Sequence, residues 1–245
     1  MDTPVHSAVI LAMERELGPF LRRCQRVSVD GIRCCEREGT VYACGGIGRG
    51  AATRTAGAVL ERYRPGLVIS AGFAGALDGG LRVGQILNPE LVINTQNGQR
   101  YRTAPAEGEA DRATLVTVDG TVDAADKRGL AAQFGAQLVD MEAAAVAEVA
   151  CRAGVDFMAI KAISDDVDFA MPPVGRYVSS TGEFQDAQFA AWAAWHPGQW
   201  AAVWRLGRNT RAAARNLCDH FERYTPEWQR YVDRKGAQAR VRPVS

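Results

Sequence analysis

Carboxylates at three places in the chain have the setting that acid–base chemistry needs. Glu14 and Glu16 follow the apolar run Ala8–Leu11, Asp140 and Glu142 open an alanine-rich stretch, and Asp165 and Asp166 lie just beyond the apolar run Phe157–Ile163, behind Ser164. Each pair alone is accounted for by helix capping, since a carboxylate in a first turn accepts orphan N–H groups and complements the helix dipole. All three beside a glycine-rich turn, Ala71-Gly72-Phe73-Ala74-Gly75-Ala76, point to a site that needs separately tuned carboxylates. A second glycine cluster, Gly45-Gly46-Ile47-Gly48-Arg49-Gly50, offers backbone N–H groups and a guanidinium to an anion. Cys24, Cys34, Cys35, Cys44, Cys151 and Cys218 form no CxxC pair and share no zinc spacing with His6, His196 or His220, so neither a metal nor any other cofactor is expected.

The elements that must hold these groups alternate between short β-rich runs and helical stretches. Ala8–Leu11 leads into Glu14–Arg23, where Leu17, Phe20 and Leu21 recur at helical spacing. Ile32–Glu38 and Val41–Ala43 flank Gly39-Thr40 as a hairpin, and the helix Ala51–Tyr63 ends before Pro65. Leu67–Ser70 reads as a buried strand, Gln85–Leu87 and Leu91–Thr95 as further strands, and Asn97–Arg112 as a surface excursion. Then come a strand at Ala113–Val118, helices at Ala124–Phe134 and Glu142–Ala153, and the strand Phe157–Ile163. Phe169–Thr181 reads as a loop, Glu183–Trp195 and Trp200–Tyr224 as helices. Strand, glycine turn, helix and strand in succession define an α/β sheet with helices on both faces, and such sheets bind ligands at the carboxyl ends of their strands. Gly72–Gly75 and Asp165 both fall at such ends.

The chain of 245 residues suits one large domain, expected over residues 1–224, with a polar, basic, extended tail over residues 225–245. An apolar fraction of 47% excludes a disordered chain, and a formal net charge of +1 argues against a nucleic-acid binder. No run approaches the roughly 20 apolar residues of a membrane-spanning helix, and Ala8–Met13 is too short for a signal-peptide core. A cytoplasmic protein is expected.

Ala12–Glu16, Gly46–Gly48, Ser70–Leu77, Val83–Gln85, Asp140–Ala145 and Ile160–Asp165 occur in an order and spacing that resemble the nucleoside phosphorylase/nucleosidase superfamily. Within it the match is most similar to the methylthioadenosine/S-adenosylhomocysteine nucleosidase branch. The likeness spans roughly residues 8 to 168 and implies a single three-layer α/β/α domain around a central mixed, twisted sheet. It implies an enzyme that cleaves the N-glycosidic bond of a 5′-modified adenosine-type nucleoside by water attack. Such a reaction expels a poor leaving group and leaves an oxocarbenium-like ribose, so an acid at the base helps most. By the resemblance, Asp165 protonates the purine with help from Ser164. Glu142 grips the ribose hydroxyls with Met141 packed on the sugar, and Glu16 polarises the water. Gly72, Phe73 and Ala74 form the substrate-binding turn, and Lys161 orients the others.

Two positions depart from that pattern. Phe73 stands where the nucleosidase branch has a serine, and Thr121–Ala125 lacks the aromatic residue that stacks on the base, leaving Asp123 to serve the base side. Phosphorolysis is the alternative to hydrolysis, with Gly48 and Arg49 as the phosphate site. The aromatic last third, Phe169 to Trp204, is expected mostly in the core or at a homodimer interface. The resemblance also leaves open a lipid-linked adenosyl substrate, as in the hopanoid-associated branch, with Arg208, Arg211 and Arg215 toward anionic headgroups. A solvated basic helix face is the plainer account of those arginines. A nucleoside-binding protein without turnover is the non-enzymatic alternative.

Overall fold

A computed structural model describes residues 5–104 and 111–240. Strand β1 (Ser7–Leu11) is buried at all its positions. Ala8 and Ile10 face one core cluster while Val9 and Leu11 face another, the period-two division that a strand covered on both faces requires. The remaining strands are β2 (Gln25–Val29), β3 (Ile32–Arg37), β4 (Thr40–Cys44), β5 (Leu67–Ala76), β6 (Ile86–Leu87), β7 (Pro89–Asn94), β8 (Arg100–Arg102), β9 (Asp111–Thr117), β10 (Leu138–Asp140) and β11 (Asp156–Asp165). They form one mixed sheet in the order β2-β3-β4-β1-β5-β10-β9-β7-β8, with β11 paired to β5 and β6.

Three strand ends converge at the centre. β1 and β11 both run parallel to β5, so the ends of all three reach the same side of the molecule. β10 runs antiparallel to β5, pairing Leu138 with Ala76 and Val139 with Gly75, which delivers Asp140 to the same stretch of β5 from the opposite direction. β11 carries a bulge where Ile163 faces Ala74 and Asp165 faces Gly75, so that Ser164 is the extra residue. A bulge of this kind re-aims the side chains beside it.

Helices α2 (Arg49–Tyr63) and α4 (Ala143–Ala153) cover one face of the sheet, burying Ala52, Ala56 and Val59 from the first and Ala143–Ala147 with Ala150 from the second. Alanine along α4 lets its backbone lie close to the sheet, and Gly154 ends it in the left-handed region at φ 66°. Helix α1 (Gly18–Leu21) and the long α6 (Trp200–Arg240) cover the other face with Phe20, Leu217 and Phe221. Helix α3 (Ala124–Phe134) packs Leu130, Ala131 and Phe134 over a third cluster around Ile93 and Val116. Helix α5 (Asp186–Ala194) and a 3-10 turn at Val174–Tyr177 lie before α6. The expected three-layer α/β/α architecture is the one observed.

Several sequence expectations are corrected. Glu14–Arg23 is not one helix but a 3-10 turn, Glu14–Glu16, followed by the single turn of α1, because Gly18-Pro19 restarts the chain between them. Gln25–Val29, unassigned from sequence, is an edge strand. The expected tail is the largest correction. α6 continues to Arg240, about 60 Å at 1.5 Å per residue. Trp228 is 3% exposed, with its ring 4.9 Å from that of Phe221, and Tyr231 Oη donates to Asp156 Oδ2 at 2.9 Å. The chain past Tyr224 is therefore helical, and Trp228, Tyr231 and Val232 dock it on the domain. Residues 241–245 and 105–110, the latter within the expected surface excursion, lie outside the described residues.

Trp228→Ala is expected to destabilise the protein by about 3–5 kcal/mol, the usual range for deleting a large buried aromatic. Urea unfolding with an unchanged m-value checks this; a solvated tail would give a change near zero.

Candidate active site

The carboxyl ends of β1, β5, β10 and β11 open into a cavity of about 390 Å³. It is lined by Glu16, Phe73, Ala74, Asp140, Met141, Glu142, Ser164 and Asp165 among others. The three carboxylates singled out from sequence thus share one cavity, although 149 positions separate Glu16 from Asp165.

Glu16 sits on the 3-10 turn after β1. Its Oε2 accepts the N–H groups of Ala12 (3.0 Å) and Met13 (2.9 Å), and its Oε1 accepts that of Phe73 at 3.3 Å. Burial nevertheless raises its pKa above the ordinary carboxylate value, against those N–H donors and the nearby Lys161 ammonium. Gly72 is required here. At φ +139° it occupies backbone space that favours glycine, and a Cβ would lie 2.7 Å from Glu16 Oε1. Phe73 lines the cavity and packs its ring against the core cluster on the α6 side, while its N–H holds Glu16.

The Asp140-Met141-Glu142 segment divides capping from chemistry. Asp140 Oδ2 accepts the N–H of Ala143 (2.9 Å) and its Oδ1 accepts Thr117 Oγ1 (2.6 Å), so Asp140 caps α4. Glu142 is thereby left to the cavity, where its Oε1 accepts the N–H of Gly48 at 2.7 Å. Burial and the negative charge of Asp140 push Glu142 up to about 7, against Lys161 and the Gly48 N–H. Lys161, 1% exposed, donates to Asp140 at 2.9 Å and to Ser70 Oγ at 3.1 Å. Burial works to lower its pKa, but Asp140, Glu142 and Glu16 outweigh that and hold it raised.

At the opposite wall, Ser164 Oγ donates to Asp165 Oδ1 (2.6 Å), and lies 3.3 Å from the Ala74 carbonyl. The other oxygen, Asp165 Oδ2, accepts Lys127 Nζ, which also donates to the Asp166 carbonyl at 2.6 Å. Asp166 in turn accepts Arg205 of α6.

Three sequence assignments need correcting. Asp123 does not line the cavity: it is exposed and caps α3, its Oδ1 accepting the N–H groups of Ala125 and Asp126 at 2.8 Å. Arg49 is turned to Asp119 (3.1 Å) and Asn94 (2.9 Å), and Gly48 gives its N–H to Glu142, so neither forms an anion cradle. Sequence reasoning also missed Lys127 and the part of the cavity's apolar wall formed by Val174, Val178 and Leu206; Met171, Phe184 and Phe189, expected mostly in the core or at an interface, line the same wall. A signal for Lys127 existed: it lies three, four and seven residues before Leu130, Ala131 and Phe134, on the inward stripe of α3. Trp195, Trp200 and Trp204, expected mostly in a core or interface, are 86%, 57% and 67% exposed in the single chain.

A family model described as the phosphorylase superfamily matches residues 7–119 and 111–187, and the chain belongs to that superfamily. The 5′-methylthioadenosine/S-adenosylhomocysteine nucleosidases of Geobacillus thermodenitrificans and Geobacillus kaustophilus are 29% and 30% identical to it, each over 65% of this chain and 83% of the relative. Among solved structures, the nucleosidase of the same description from Neisseria meningitidis, in complex with methylthio-immucillin-A, superposes with a TM-score of 0.65. It is 22% identical, over 87% of this chain and 95% of that one. The futalosine hydrolase of Helicobacter pylori superposes at 0.62 with 18% identity, over 88% and 98%. At these identities the structural likeness is one of fold.

Glu142 sets a pH dependence with a definite sign. Its folded pKa, about 7, lies above the unfolded carboxylate value of 4.5, so the stability this shift contributes is present in full below 4.5 and lost as pH rises through 7. Glu142→Gln removes that loss. The variant should melt above the wild type at pH 8.5, by about 1 kcal/mol of stability given the partial exposure of the side chain, and the gap should close towards pH 5. Thermal melts across that range check it.

Proposed function

We propose that this protein is a purine nucleosidase that cleaves the N-glycosidic bond of a 5′-modified adenosine-type nucleoside by attack of water. The observation that carries this reading is the single cavity into which Glu16, Glu142 and Asp165 all project from different strand ends. The names of the Geobacillus relatives support the substrate class.

In this reading the base lies against Asp165 and Ser164, and the sugar against Met141 and Glu142. Glu142 holds the ribose hydroxyls as the C1′–N9 bond lengthens, and the negative charge around it stabilises the developing oxocarbenium ion. Glu16, fixed by three backbone N–H groups, takes a proton from the attacking water. Burial raises Glu16, which brings its basicity closer to neutral pH, where a general base works best. Asp165 gives the leaving purine its proton. Hydrolysis is favoured over phosphorolysis because the Gly48 N–H and the Arg49 guanidinium already have partners within the protein.

The apolar wall from Met171 to Leu206 supports a second reading of the 5′ group. It suits an apolar substituent, and a long lipid-linked one would leave past α5 and α6, where Trp195, Trp200 and Trp204 are exposed near Arg208.

The test is release of free base from methylthioadenosine, S-adenosylhomocysteine, adenosine and inosine, each with and without phosphate. Base released without phosphate is the expected result. Release only with phosphate would replace hydrolysis by phosphorolysis, and no release from any of the four would overturn the small-nucleoside reading. Asp165→Asn should lower kcat by about 10²–10⁴-fold while leaving ligand affinity within a few fold.

A further inference from the structure

Asp165 as an acid must hold a proton, yet both of its oxygens accept hydrogen bonds, Oδ1 from Ser164 and Oδ2 from Lys127. Lys127 and Asp165 are both nearly inaccessible, at 1% and 3% exposure. Neither the Ser164 hydroxyl nor any backbone group is a proton source at neutral pH; the Lys127 ammonium is. Lys127 lines the cavity beside Asp165 and comes from the first turn of α3, an element that carries none of the carboxylates discussed above. The Asp166 carbonyl fixes Nζ on its far side, and Arg205 anchors Asp166 in turn.

We propose that Lys127 supplies the proton that Asp165 passes to the leaving base, so that the two side chains act as one acid. This rests on the nucleosidase reading of the cavity. In the open cavity the pair is ionic, an ammonium against a carboxylate. The pair borders the cavity with almost no exposed surface of its own, so what a bound nucleoside removes is the polarisable water beyond it, which favours the ionic form over the neutral amine and carboxylic acid. The proton therefore shifts along the existing hydrogen bond: an N–H bond of Lys127 breaks and an O–H bond of Asp165 forms. As C1′–N9 breaks, its electron pair moves into the purine ring, the Asp165 O–H breaks, and an N–H bond forms on the base. Water bonds to C1′ and gives a proton to Glu16. After the products leave, Glu16 returns its proton to solvent and Lys127 takes one back. The sum is nucleoside plus water giving base plus sugar. Lys127 acts through Asp165 and needs no contact with substrate.

Lys127→Met and Lys127→Arg test the proposal on the full chain with two substrates, methylthioadenosine and 4-nitrophenyl riboside, whose leaving group departs as a stable anion without a proton. On methylthioadenosine both variants should lose about 10²-fold or more in kcat with KM within a few fold, because a guanidinium keeps the charge but not a transferable proton. On 4-nitrophenyl riboside both should stay within about threefold of the wild type, since no general acid is required. Parallel losses on the two substrates would mean that Lys127 only supports the fold, and would overturn the proposal. Full nucleoside turnover by Lys127→Arg would overturn it too, showing that charge alone suffices. Wild-type protein that cleaves neither substrate would overturn the nucleosidase reading and this inference with it.

Discussion

One buried ammonium governs the side of the cavity that holds Glu16, Asp140 and Glu142. Lys161 leaves β11 at a position with 1% exposure and bonds Asp140 and Ser70, with Glu142 and Glu16 close enough to raise its pKa. A lone buried lysine would lose its proton, since burial disfavours the charged form. Here three carboxylates outweigh that cost and keep it charged. The dependence is mutual, because deleting the cation would leave Asp140 buried beside like charges, the situation in which broken buried pairs are most destabilising. β5, β10, β11 and the turn after β1 are thus tied through one nitrogen.

The compensation is incomplete. One cation serves three carboxylates: burial raises Glu16 despite it, and burial together with the Asp140 charge raises Glu142. Asp140 is instead held by Thr117 and the α4 N-terminus as well as by Lys161. The sheet's directions produce this asymmetry. β10, antiparallel to β5, brings Asp140 in against the strand centre, while Glu142, two residues on, lies past the cap and opens to the cavity.

Much of this was legible in the sequence, and the reason is local. Short continuous apolar runs located β1, β11 and the start of β5, and acidic residues at strand ends located the cavity, although Ala71–Ala76, read as a glycine turn, is the second half of β5. What was not legible depended on long-range partners. Asp123 and Arg49 have the right types for binding, but capping of α3 and the pairing with Asp119 and Asn94 claim them. Lys127 shares the inward stripe of α3 with Leu130, Ala131 and Phe134, but the partner it meets there shows only when α3 is laid against Asp165. The end of α6 was hidden because the polar, basic composition after Tyr224 reads as an extended tail, whereas Trp228, Tyr231 and Val232 recur at helical spacing and dock on the core cluster beneath. The corrected residues are those whose role is set by a neighbour distant in sequence.

The two buried lysines give the cavity opposite electrostatic ends. At the end proposed to hold the sugar, one lysine, Lys161, faces the three carboxylates Asp140, Glu142 and Glu16, so that their ionised forms leave a negative field. At the end proposed to hold the base, Lys127 faces Asp165 one to one, so that the pair carries no net charge, and Arg205 pairs with Asp166 behind it. A glycosidic bond lying between them has its sugar carbon in the negative field and its leaving nitrogen beside a neutral pair that holds a proton. Heterolysis places positive charge on the first and an electron pair on the second, so the resting field already favours the charge separation that bond breaking requires. Preorganised charge of this kind lowers a barrier without reorganisation during the reaction. In the proposed reading, the different ratio of lysine to carboxylate at the two ends of the cavity gives the bond its direction of cleavage.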